Sequence, residues 1–133
     1  MKKRTKKNPK IPRWIYLTPR ILALVFIAFI SLFSFDVFGN GYGFWGTLFA
    51  LFMHLIPSLL LTAVLLIAWR WKKPLPAGIV FVLGGLLYIA LLIRTSVISG
   101  FQGYMIAWAV QIAAPAIFTG ILFLVEWRLR RRK

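Results

Sequence analysis

Asp36, His54 and Glu126 are the only carboxylate or imidazole side chains in this 133-residue chain, which has no cysteine. Acid–base and nucleophilic chemistry needs such groups within hydrogen-bond reach of one another. No P-loop, metal-binding motif or nucleophile–base–acid set accompanies them. No catalytic residue is therefore expected, and no metal or cofactor; thiolate nucleophiles, disulfides and cysteine-based zinc sites are excluded outright.

Each of the three still has a physical reading. Asp36 ends an apolar run, just before the turn Gly39-Asn40-Gly41-Tyr42-Gly43. A carboxylate at the rim of a membrane span can bind a proton or cation. It can equally be held in a structural ion pair. Arg94, the only cation in the two connectors on that side, is the expected partner. His54 lies in a second apolar run, about 13 Å deep at about 1.5 Å per residue. Thr47, His54, Ser58 and Thr62 fall near one helical stripe, which predicts a weakly polar face directed into a bundle. A proton relay, a metal ligand and a haem ligand are the functional readings. Metal and haem are disfavoured for one histidine with neither cysteine nor nearby carboxylate. Asp36 is about 10 Å shallower, too far for a direct dyad. The sequence favours a histidine hydrogen-bonded across helices, to Gln111 or to a carbonyl freed by Pro57 or Pro115. Gln111 and Pro115 mirror His54 and Pro57 in a later run, and both prolines are expected to kink their helices. Glu126, among arginines, reads as their local counterion.

The elements that must position these residues are long and apolar. Hydrophobic residues make up 61% of the chain and charged residues 14%. A soluble domain this small could not bury that much apolar surface, whereas a bilayer can cover it. Four spans are predicted, at about 19–38, 45–69, 76–93 and 105–125. Thr18-Pro19 reads as the first helix start and Arg94 to Tyr104 as a polar connector. The first span is too long for a signal-peptide core, so it is expected to be uncleaved. Residues 1–18 read as a basic tail, with the prolines and polarity of disordered chain as far as Arg13, and 128–133 as a second. Gly84-Gly85, Ala107, Ala113 and Ala114 are small residues suited to close helix approach.

The net charge of +15 is of the sign and size that nucleic-acid binders carry. Yet the cations flank apolar runs instead of covering a folded face, so nucleic acid is not an expected partner. Sixteen of the 17 Lys and Arg residues fall on one side of a four-span chain and one on the other. By the positive-inside rule this predicts a multi-pass protein of the inner (plasma) membrane with both termini cytoplasmic. Arg70, Lys72, Lys73, Arg128 and Arg130 are placed to meet anionic lipid headgroups. A shift of 58 residues superposes Pro57 on Pro115, Trp69 on Trp127 and Arg70 on Arg128. Two repeated helical hairpins would produce that coincidence, as would the biased composition alone.

The runs Arg20-Ile21-Leu22-Ala23, Phe35-Asp36-Val37-Phe38-Gly39, Gly41-Tyr42-Gly43-Phe44-Trp45, His54-Leu55-Ile56-Pro57-Ser58 and Ala68-Trp69-Arg70-Trp71 resemble a family of small prokaryotic membrane proteins catalogued as a domain of unknown function. The resemblance covers about residues 19 to 93 and implies a four-helix integral membrane protein, with no activity, cofactor or site attached. Small multidrug transporters are also four-span proteins. They carry a carboxylate in the middle of the first span, where this chain is apolar apart from Ser31. The expected fold is an all-α four-helix transmembrane bundle. The expected function is a non-enzymatic accessory, assembly or lipid-interacting component, as a homo- or hetero-oligomer or alone. The alternative is a small proton-linked transporter or channel subunit using Asp36 and His54.

Overall fold

The computed structural model describes residues 11–132, so most of the expected N-terminal tail lies outside the described residues. It is helical throughout, with four helices long and apolar enough to cross a membrane: Arg13–Gly39, Gly43–Arg70, Pro74–Ser99 and Tyr104–Arg131. The first ends in a 3-10 stretch, Phe33–Gly39, and the fourth contains a π-helical turn, Ala109–Ala113. Three boundaries differ from the sequence expectation. The first helix begins at Arg13 after Pro12, so Pro19 is inside it and buried. Pro12 already provides the break, and Pro19 costs the helix only the donor to the Ile15 carbonyl. The third helix runs on through Arg94 to Ser99. Nothing between them breaks a helix, and the Thr95 hydroxyl is satisfied by donating to the Leu91 carbonyl at 2.9 Å. The chain turns only at Gly100, whose φ of 84° disfavours other residues. The fourth helix likewise continues past Glu126, because its arginines favour a helix C-terminus.

Each helix packs chiefly on its sequence neighbours, and the first also on the fourth. The bundle is a ring in which the first and third helices, and the second and fourth, are diagonal. Its tightest seam joins the third and fourth. A Cβ on Gly78 would stand 3.2 Å from the Gly120 carbonyl, and one on Gly85 3.0 Å from that of Ala113. Residue numbers rise on one helix as they fall on the other, so the pair is antiparallel. Gly84, beside Gly85, meets nothing. Ala113 is buried in the seam, whereas Ala107 and Ala114 are exposed. Phe26, Phe81 and Phe123 bridge the first, third and fourth helices, with ring centroids 6.1 and 6.0 Å apart. Lipid is as apolar as these rings, so such contacts hold the bundle by close packing and not by exclusion of water.

The core is lopsided. No residue from 43 to 57 or from 86 to 99 is buried. Buried positions of the second and third helices lie in the halves nearest the Arg70–Pro74 turn. Towards the opposite end Ser34, Val37 and Met105 are still buried, but most of the helix surface is exposed.

Candidate functional site

Four candidate polar residues, Asp36, Arg94, His54 and Gln111, are all exposed and are not brought together. The expected Asp36–Arg94 pair does not form; the ion pairs among the described residues all involve Glu126. Asp36 and Arg94 sit on the first and third helices and are both exposed, so shared depth does not become contact. The Asp36 backbone carbonyl accepts from the Asn40 amide at 3.1 Å, closing the turn locally. His54 makes no cross-helix bond among the described residues. Its Nδ1 lies 2.8 Å from the Ala50 carbonyl one turn back on its own helix. The stripe containing it does run inward, since Ser58, Leu61 and Leu65 are buried, but His54 falls where the core has ended. Ser58 and Thr62 satisfy themselves on the carbonyls of Leu55 and Ser58, at 3.1 and 2.7 Å.

The prolines also part company. Pro57 lies within an uninterrupted helix. Before Pro115 the helix loosens into the π turn, with the Ala114 N–H donating to Ala109, five residues back. Pro115 has no N–H to donate to Gln111, and an inserted π register accommodates that loss.

The polar centre that does assemble joins Arg20 to Glu126, both side chains 0% exposed. One guanidinium nitrogen of Arg20 donates to a Glu126 carboxylate oxygen at 2.7 Å and to the Tyr16 carbonyl. The other donates to the Ala68 carbonyl at 3.0 Å and to the second carboxylate oxygen at 3.2 Å. Arg130, one turn beyond Glu126, adds bonds of 3.0 and 2.7 Å to that oxygen. The Arg20 guanidinium lies 3.7 Å from the centre of the Tyr16 ring. The cluster thus fastens the first, second and fourth helices at one level. Glu126 is more than the counterion of the adjacent arginines, and Arg130 is engaged there while its side chain stays partly exposed. Arg70, Lys72, Lys73 and Arg128 remain exposed at this end.

Chemically the cluster is a fastener. Both carboxylate oxygens are occupied by cations, and removing either partner would leave a buried charge uncompensated. Sequence inspection misses it because the partners are 106 residues apart. The available signal was that Arg20 is followed at once by an unbroken apolar run, and that Glu126 is the only acid near any basic segment. Among the described residues, no three His, Asp or Glu side chains gather into a metal-holding group.

Helices of this length and hydropathy, wrapped in exposed Leu, Ile, Val and Phe, define an all-α multi-pass membrane protein. Residues 2–133 match the domain of unknown function DUF7670, and the chain belongs to that family. No curated protein and no solved structure matches it.

Proposed function

We propose that the protein is a non-enzymatic component of the inner (plasma) membrane, with both termini cytoplasmic, acting in accessory, assembly or lipid-interacting roles. The observation that carries this reading is the dispersal of its polar groups. Asp36 and His54 are exposed on separate helices, and both oxygens of the buried Glu126 carboxylate are engaged by Arg20 and Arg130. A proton-linked carrier needs titratable groups that converge on a path through the bundle. The orientation is supported by charge: with Arg20 assigned to the buried pair, fifteen cations still stand against one. Exposed Arg70, Lys72, Lys73 and Arg128 suit contact with anionic headgroups, at about 1 kcal/mol per residue. The test is reconstitution into liposomes alongside affinity purification from native membranes. Co-purification of a membrane partner without pH-driven flux is the expected result. Flux abolished by Asp36→Asn or His54→Gln would contradict the proposal.

A further inference from the structure

In the open half, His54 and Gln111 leave polar atoms on the outer surface of their helices, at a depth that the hydrocarbon of a bilayer would cover. The second helix has 28 residues, about 42 Å at about 1.5 Å per residue, against a hydrocarbon core about 30 Å thick. His54, eleven residues from its start, therefore lies within the hydrocarbon. The Ala50 carbonyl can only accept, so Nδ1 carries the proton that meets it, and in that tautomer Nε2 presents a lone pair. Gln111 is also exposed and takes part in no side-chain hydrogen bond among the described residues. In lipid such groups must be satisfied by protein.

The Arg20 cluster provides a common reference level, because it joins Ala68 to Glu126. His54 is 14 residues from Ala68 and Gln111 is 15 from Glu126, so both stand roughly 21–23 Å from that level. Within one chain their helices are diagonal, and the two side chains do not meet. Two copies inserted in the same orientation would bring them level without tilting either bundle. We infer that a second copy of this chain docks on the open half, the Gln111 amide of one copy donating to His54 Nε2 of the next. Two His54 rings cannot substitute for this pair, since each offers the same lone pair. The contact is thus heterologous, joining different faces of the two copies. The inference rests on the membrane-component reading and names its partner.

The test exploits the absence of cysteine. Differently tagged Met53→Cys and Val110→Cys copies, both positions being exposed, are co-expressed and oxidised in native membranes. A mixed disulfide between the tags should exceed self-crosslinking of either copy. Its yield should fall roughly three- to tenfold with His54→Phe or Gln111→Leu, the range expected for one membrane hydrogen bond. His54→Gln, which retains an acceptor, should preserve it. Absence of the mixed product, dominance of crosslinks between two Met53→Cys copies, or indifference to His54→Phe would overturn the inference. Crosslinking of the Met53→Cys copy to a different membrane protein would also overturn it while leaving the membrane-component reading intact. Proton-coupled flux with the mixed disulfide present would do the reverse.

Discussion

At the scale of residues, the energetics centre on one buried carboxylate. Truncating one member of a fully desolvated ion pair leaves the other charge stranded, at a cost of about 3–5 kcal/mol. Arg20→Ala and Glu126→Ala should each lower thermal stability by about that amount. The double change Arg20→Met with Glu126→Leu should cost far less than their sum, measured as a double-mutant cycle in bilayers. Arg130→Ala should cost less than either single change, because that side chain is 29% exposed and Glu126 keeps Arg20. The opposite behaviour is expected of the pair the sequence suggested. Asp36 and Arg94 are both exposed and on diagonal helices, so Asp36→Asn and Arg94→Gln should be additive in the same assay. A coupling above roughly 0.5 kcal/mol would place the two in contact.

At the scale of elements, the third–fourth helix seam carries the tightest packing. An added Cβ on Gly120 would meet the Val82 nitrogen at 2.8 Å and the Gly78 carbonyl at 2.9 Å, backbone atoms that cannot step aside. Gly120→Ala should destabilise by about 1–3 kcal/mol as the helices are forced apart. Gly84→Ala meets nothing and should be neutral or stabilise by up to about 1 kcal/mol, because glycine is a poor helix former. Paired chemical or thermal melts would check both. The existence of four helices was legible in the sequence, because apolar runs of membrane length admit few alternatives. Their ends were less so: Thr18-Pro19 looks like a start, yet Pro12 provides one earlier. Arg94 looks like the beginning of a connector, yet only Gly100 breaks the helix. The candidate polar residues were legible by type and depth but not by direction. His54 is on the stripe expected to face the bundle, and is exposed because the core stops at Ser58. Facing partners, including Arg20 for Glu126, depend on which helices are neighbours in the ring, and periodicity does not encode that.

At the scale of the whole molecule, the basic segments among the described residues, most of the core and the Arg20–Glu126 fastener lie at one end, and Asp36, Arg94 and the open half at the other. This polarity gives the bundle a direction in the membrane. On the proposed orientation, the well-packed half lies towards the cytoplasm and the level of His54 and Gln111 towards the opposite face. A single introduced cysteine tests this directly, because the chain has none of its own. Ser99→Cys and Lys73→Cys sit at opposite ends of the third helix, both exposed. With an impermeant thiol reagent added outside intact cells, the Ser99→Cys variant should label. The Lys73→Cys variant should label only after the membrane is opened. Labelling of Lys73→Cys in intact cells, with Ser99→Cys protected, would contradict the orientation and the assignment of the basic end to the cytoplasm.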